Sequence, residues 1–558
     1  MSESAVSATR MRSVWRSSKT VLWLGFVIGL SAFAYYYLLG LSTAHYDAKA
    51  HLLVSRRMVD STTPGYSEMG AHWLPLVHIL YLPFVLMEAQ YRTGMIPSLL
   101  SVCGFAVSGW MVFRMAFFQT GSTAAAWFAA LILLANANLQ YLQSAPLTEP
   151  VYMALSLLAI DALVRWREAQ SGLVPWQASL WIALAALCRY EGWLLFAGVV
   201  LLLAGDFFGR RLSRRGFSRA LFALAGSFAA PVLAHFAYIY WRLGDSFFLR
   251  VARGNPAPDE TYKRPLLSLA YHGSELFQAA GLVPLGIGLA GLIYCLADRG
   301  RRQRWRPVFL LWLPSLLNLA ALYWGLMYRV RYSLLLIPAV AVFGSLAATQ
   351  ARFSRRVLIA ASLMVFLLPW ITWLFPDRWE YHFARPGAGI LLLPAAALLL
   401  LLAGLHRGRF AGVLALLAIS SMQVPALEGE ARPMLAEALE HAYLEPERRQ
   451  VLEYLQRHYD GSRILVDIGR QAPLMYDSAL PVREFVCHDG NVAEWDEAVA
   501  EPRRHVGWLC AEKGDEVWTM LEIDPRWSDG YALAVSTENY VLYHLDNGIQ
   551  SARAQNGP

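Results

Sequence analysis

The chain has 558 residues, 56% of them hydrophobic and only 16% charged, where a soluble protein carries about 25% charged residues. Apolar runs of about 18 to 25 residues recur between residues 21 and 424, long enough to cross a hydrocarbon core of about 30 Å. A soluble globular protein is thereby excluded; the pattern is that of a polytopic α-helical membrane protein. The net charge of +7 hides an asymmetry: residues 1–429 hold 36 Lys and Arg against 18 Asp and Glu, and residues 430–558 hold 12 against 23. A basic membrane part therefore ends near "PALEGEARP", and an acidic soluble tail follows.

Residues 1–20 form a basic flank before about twenty apolar residues. A signal peptide would have a shorter apolar region and a small-residue cleavage site. Although "LSTA" imitates such a site, this segment reads as a retained first span with a cytoplasmic N-terminus. Arginine clusters at 10–19, 165–168, 210–215, 298–306, 352–356 and 406–409 mark cytoplasmic loops, because the orientation bias falls on Lys and Arg near span ends. Further spans are expected at 95–117, 122–141, 150–164, 175–188, 192–205, 217–241, 276–297, 307–327, 331–349, 355–375, 388–404 and 409–424. With the first, that makes thirteen.

The segment 72–90, "HWLPLVHILYLPFVLMEAQ", would make the number of crossings before residue 165 odd. It also carries Pro75, His78, Pro83 and Glu88, poor residues for a lipid-facing helix. It reads as a helix in the outer interface, so residues 42–94 form one long outward loop. The same parity turns Asp47, "SAPLTEP", "CRYEGW", the loop 242–265, "MYRVRY" and the acidic tail outward.

The outer loops hold Lys49, Arg56, Arg57, Arg242, Arg250, Arg253, Lys263, Arg264, Arg329 and Arg331, against the charge rule. Guanidinium groups there hold phosphate bidentately and Lys holds it as a point charge. The alternative cause is pairing with Asp245, Asp259, Glu260 and anionic headgroups. Asp47 after the first span and Glu149 before the fourth are carboxylates at a hydrocarbon edge, costly without a partner; helix capping is the bland alternative for both. Arg189 and Glu191 read either as a local ion pair or as ligands of sugar or phosphate, with Trp193 as an interface anchor. His45, Glu68, His72 and His78 lie in the first outer loop, two of the four structural. Cys103, Cys188 and Cys295 read as packing residues. Cys487 and Cys510 read either as a pair or as two separate thiols. No His or Cys cluster has zinc spacing.

Taken in order, the outward Asp47, the long loop with "WLPLVH", the acid before the fourth span, "RYEGW", "GD" near an Arg-rich loop and "RYSLLLIP" resemble the C superfamily of membrane glycosyltransferases. The closest resemblance is to glycosyltransferase family 39, which includes protein O-mannosyltransferases and the lipid A aminoarabinose transferase. It covers roughly residues 20–425. It implies a GT-C-like membrane catalytic domain over 21–425, with a polyprenyl-phosphate sugar as donor, an inverting reaction, and Asp47 as catalytic base. The family's commoner pattern has two adjacent acids, whereas Asp47 is followed by Ala48 and Lys49, which leaves one carboxylate to act. Residues expected at the site are Asp47 and Glu149 for catalysis, with Arg329, Arg331, Arg189 and Lys49 on the donor phosphate. Tyr46, His72, His78 and Glu191 would position substrate.

No cofactor is required, although Asp47 and Glu149 could hold Mg²⁺ or Mn²⁺. A glycan, lipid or protein acceptor on the outer face of a prokaryotic cell membrane is expected, and no nucleic acid. The competing reading is a flippase of lipid-linked sugars, but neither internal repeats nor helices broken at mid-membrane are evident. In the tail, "ERRQVLEYLQRHY" has a helical period, "SRILVDIG" reads as a strand, "QAPLMYDSAL" as a helix, "REFVCH" and "HVGWLC" as strands, and "YALAVSTENYVLYHL" as a hairpin. Residues 430–558 are thus expected to be a small extracytoplasmic α/β domain.

Overall fold

The computed structural model describes residues 3–168, 175–244, 261–326, 328–350, 433–440, 442–488 and 490–546. The expected spans 355–375, 388–404 and 409–424, and the loop residues Asp245, Arg250, Arg253, Asp259 and Glu260, lie outside them. The chain forms two compact units: Met1–Leu41 with Ser98–Ala234 and Arg250–Glu437, and Ser42–Pro97 with His235–Leu249 and Ala438–Pro558.

The first unit is helical. Five helices have the length and composition to cross a membrane, counted among the described residues: Ser17–Leu38, Met95–Thr120, Glu191–Phe208, Arg214–Leu243 and Val330–Thr349. A sixth arises if the pair Arg299–Trp305 and Val308–Tyr323, bent by 72°, is one span. Three of the thirteen expected spans lie outside the described residues, and several others are short or broken for local reasons. The run 122–141 breaks where the Asn136 side chain accepts the Leu139 N–H and caps a new helix at Ala137. The run 276–297 is divided at Gly281, whose φ of 84° no helix accommodates. Trp176–Cys188 has only 13 residues. The helix Glu149–Glu168 carries Asp161, Arg165 and Arg167 among its apolar residues, with Asp161 held by Arg114 at 3.2 Å and Arg165 at 2.9 Å.

Close helix contacts fall on glycine, as expected where backbones must approach without a hydrophobic driving force. A Cβ on Gly104 would stand 2.5 Å from the Pro150 carbonyl oxygen, so the start of Glu149–Glu168 lies directly on the helix Met95–Thr120. A Cβ on Gly291 would collide with the Phe343 carbonyl, which fixes Leu282–Leu296 against Leu336–Gln350.

The second unit joins residues 42–97 to the acidic tail, so the division does not follow the composition boundary near residue 430. The loop supplies helices Tyr46–Arg57, Pro75–Val85 and Glu88–Thr93. The segment expected in the interface is the helix Pro75–Val85, 11 residues long with Pro83 inside it. The tail holds a five-stranded sheet, β1 (Ile464–Leu465), β2 (Phe485–Val486), β3 (Trp508–Glu512), β4 (Tyr531–Ser536) and β5 (Tyr540–Leu545), in the order β2-β1-β3-β5-β4. β1 runs parallel to β2 and β3, and β5 is antiparallel to β3 and β4. The expected α/β pattern and hairpin are therefore present. Central β3 is buried along its whole length, which is why it reads as an apolar run rather than an alternation. Cys487 and Cys510 are not joined to each other by a disulfide.

Side chains from across the unit tie the loop to the tail. Lys49 Nζ reaches both Asp477 carboxylate oxygens, at 2.6 and 2.8 Å. The Tyr46 hydroxyl donates to the Ile468 and Gly469 carbonyls at 2.9 and 3.0 Å. The Tyr476 hydroxyl donates to the Tyr91 and Arg92 carbonyls, and Arg483 pairs with Asp60 at 2.9 Å.

Asp515 caps the helix Glu516–Ile523, accepting N–H groups from Trp518 and Glu512 and the Gln471 amide. Burial pushes its carboxyl up to about 6, from 3.8, and burial raises neighbouring Glu512 as well. The folded unit thus keeps a proton that the unfolded chain has released. This contribution to stability is complete below about pH 4 and lost as pH rises through about 6. Asp515→Asn should flatten the fall in unfolding midpoint between about pH 4 and 6, measured on the full chain in detergent; an unchanged slope would assign it elsewhere.

Candidate active site

In the first unit, Pro150 stands at the second position of Glu149–Glu168, where its fixed φ suits a first turn. Glu149 opens the helix with a side chain only 1% exposed. A carboxylate so buried requires compensating charge, and two guanidiniums supply it. Arg189 Nη1 donates to Glu149 Oε1 at 2.7 Å and Arg331 Nη1 donates to the same oxygen at 3.0 Å.

Both arginines stand where helical backbone stops. Arg189 follows Trp176–Cys188 in an extended conformation, φ −148° and ψ 151°. Arg331 lies in the single 3₁₀ turn Val330–Ser333. Arg189 also donates to Thr148 Oγ1 at 2.8 Å and pairs with Glu191 at 2.8 Å, so the local ion pair read in "RYEGW" exists and is part of a larger cluster. Trp193 donates its indole N–H to the Ala186 carbonyl. The Tyr332 ring lies 5.4 Å from the Arg189 guanidinium and 5.8 Å from that of Arg331, within cation–π range.

Glu437, which the sequence reading did not single out, completes the cluster. On the short helix Pro433–Leu439, it approaches Arg331 Nε at 3.0 Å and Arg329 Nε at 3.6 Å. Asn318 donates to the Arg329 carbonyl and the Ser333 hydroxyl at 2.8 and 3.0 Å, which fixes the backbone carrying both arginines. Three carboxylates, Glu149, Glu191 and Glu437, thus meet three guanidiniums, Arg189, Arg329 and Arg331.

The remaining expected residues belong to the second unit. Asp47 lies in the first turn of Tyr46–Arg57, where the helix dipole favours an anion. Its backbone N–H donates to His45 Nδ1 at 3.0 Å, so His45 is the helix cap. Lys49 is held by Asp477 as described; burial, the largest cause, lowers its ammonium although Asp477 opposes the shift. His78 is wholly buried, with Nδ1 2.9 Å from the Leu74 carbonyl and Nε2 3.0 Å from His51 Nδ1. The carbonyl requires His78 Nδ1 to carry the proton, so His51 donates to Nε2; both His78 nitrogens are used inside the fold. His72 is half-buried, with its ring 6.4 Å from that of Trp73.

Arg57 pairs with Glu68 at 3.4 Å, and Arg56 pairs with Asp60 at 3.2 Å and with Glu88 at 3.3 Å. Pairing therefore explains these two cations, though not with the partners expected. Among the described residues no group of three or more His, Cys, Asp and Glu is placed to hold a metal ion.

No protein-family profile and no curated protein matches the sequence. Solved structures do. ArnT from Cupriavidus metallidurans bound to undecaprenyl phosphate aligns with TM-score 0.57 and 16% identity, over 93% of this chain and 97% of that one. Its apo state aligns with TM-score 0.56 and 15% identity over the same shares, 93% and 97%. The oligosaccharyltransferase AglB from Archaeoglobus fulgidus, in complex with an inhibitory peptide and a dolichol-phosphate, aligns with TM-score 0.45 and 13% identity, over 89% of this chain and 69% of that one. That last alignment is too loose to carry an argument. At these identities the likeness establishes the fold alone, which this chain shares with ArnT.

Removing one partner of a buried ion pair costs about 3–5 kcal/mol, because the other charge stays buried. Glu149→Gln should therefore lower the unfolding midpoint, and adding Arg331→Gln should recover part of the loss. A double-mutant cycle in detergent reads the coupling; strictly additive losses would mean that the two side chains do not depend on each other.

Proposed function

We propose that the chain is a membrane glycosyltransferase that moves a sugar from a polyprenyl-phosphate carrier to a hydroxyl acceptor. The observation that carries this reading is the Glu149, Arg189, Arg331 and Glu437 cluster, set in a fold shared with a protein solved with undecaprenyl phosphate. The isoprenoid would lie among the spans while its phosphate stays at the membrane edge.

In the reaction, the acceptor hydroxyl gives its proton to the Asp47 carboxylate as its oxygen attacks the anomeric carbon. The bond from that carbon to the phosphate oxygen breaks, the electron pair leaves on the phosphate, and the configuration inverts. General base catalysis of this kind contributes about 10²- to 10⁴-fold. Arg331 and Arg329, oriented by Glu149 and Asn318, stabilise the charge that grows on the leaving phosphate. Arg189 positions Glu149, and Glu191 positions Arg189. Lys49 and Tyr46 hold the helix that carries Asp47. On the arginine distribution, the N-terminus is cytoplasmic and the reaction faces outward, with the acidic tail on the same side.

Glu437 stands on Arg329 and Arg331 as an anion would, so a donor phosphate entering there displaces it. Glu437→Gln should lower the KM for donor by about tenfold, the worth of one lost charge-assisted contact, with a smaller change in kcat. An unchanged KM would remove these arginines from the donor phosphate site.

The decisive assay is transfer of labelled sugar from a panel of polyprenyl-phosphate sugars to membrane extract, comparing wild type with Asp47→Asn. Transfer should fall by at least about 10²-fold in the variant with donor binding retained. Equal transfer would dismiss Asp47 as the base. Donor movement across vesicles without transfer by the wild type would point to a flippase.

A further inference from the structure

A second cationic feature lies away from the Glu149 cluster. The helix Leu282–Leu296, the short helix Arg299–Trp305 and the 3₁₀ turn Val308–Trp312 follow one another in the first unit. They enclose a surface pocket of about 360 Å³ lined by Leu296, Arg299, Arg302, Gln303, Arg306 and Phe309. Its location follows from the sequence: an apolar helix ends at Leu296, the Asp298 side chain caps the arginine-rich turn by accepting the Arg301 N–H at 2.6 Å, and apolar chain resumes at Val308. The lining thus combines hydrocarbon from Leu296 and Phe309 with the guanidiniums of Arg299, Arg302 and Arg306.

The neighbouring arginines are engaged. Arg304 reaches Glu168 at 3.2 Å and the Phe118 carbonyl at 2.7 Å, and Arg301 lies over the Tyr294 ring at 4.0 Å. Arg306 pairs with Asp206 at 3.1 Å, an acid that Arg167 also holds at 2.7 Å. Arg299 and Arg302 differ: both are exposed, both line the pocket, and neither has a carboxylate partner among the described residues. The charge rule accounts for arginines at such a place, but not for two unpaired ones beside Leu296 and Phe309.

We propose that this pocket binds the headgroup of an anionic phospholipid. Arg299 and Arg302 hold the phosphate, Arg306 is anchored behind them by Asp206, and an acyl chain follows Leu296 and Phe309 into the membrane. Guanidinium forks match phosphate oxygens bidentately, and basic pockets at the ends of membrane helices bind such headgroups. A soluble anion would make no use of the apolar lining. The inference is independent of the transferase reading.

The test uses the full chain, purified in detergent and exchanged with phosphatidylglycerol or with phosphatidylcholine of the same acyl chains; retained lipid is counted by native mass spectrometry. Wild type should retain phosphatidylglycerol preferentially, and Arg299→Gln with Arg302→Gln should cut that preference by about fivefold per arginine. The control, Arg211→Gln with Arg215→Gln, removes the same charge from two exposed positions at or just before the start of Arg214–Leu243 and should keep the preference. An unchanged preference in the Arg299 and Arg302 double variant would overturn the proposal. So would an equal loss in the control, which would mean diffuse charge alone. Displacement of the lipid by millimolar inorganic phosphate would also overturn it, in favour of a soluble-anion site. If the double variant does not fold, Arg302→Gln alone must lower the preference.

Discussion

The first unit depends on how the charge of Glu149 is accommodated. A carboxylate taken out of water loses several kcal/mol of solvation, and attraction repays this only when partners stand at hydrogen-bonding distance. Arg189 and Arg331 do so, and they come from segments 142 residues apart in sequence. Irregular backbone is tolerated in a membrane protein where it lines a polar site. The extended Arg189 and the 3₁₀ turn at Arg331 are two such places, and both aim their side chains at one oxygen. The cluster therefore joins the start of one helix, the end of another and the approach to a third.

Much of this was legible beforehand because charge at a hydrocarbon edge is costly and stands out from its surroundings. Glu149 stands out as a carboxylate at a hydrocarbon edge, Arg331 as a cation against the charge rule, and Arg189 and Glu191 through the motif "RYEGW"; the structure brings all four together. Glu437 escaped because it lies where acids are common, so one more carried no signal. Hydropathy does not reveal the breaks within 122–141 and 276–297, because a capping asparagine or a glycine ends a helix without lowering the average. His78 looked available because a histidine beside prolines in an amphipathic loop resembles a ligand. Only the positions of Leu74 and His51 reveal that both its nitrogens are occupied. Lys49 is similar: no local pattern announces that its carboxylate, Asp477, is 428 residues away.

That distant pairing also changes what the tail is for. The sequence places it as an appended soluble domain, whereas Lys49, Tyr46, Arg92 and Asp60 all draw partners from it. Asp47 lies between two of those anchored residues, Tyr46 and Lys49. The acidic tail and residues 42–97 therefore belong to one compact unit.

Gly104 has a consequence of a different kind. What a side chain there would strike is the carbonyl of Pro150, which is main chain. A clash between side chains can be relieved by trimming the opposite one, but no substitution shortens a carbonyl. Any larger residue at 104 would have to push the whole helix start aside and carry the adjoining Glu149 away from its arginines. The permitted residue at one apolar position is thus tied to the geometry of a charge it never touches, and no second-site side-chain change could uncouple them.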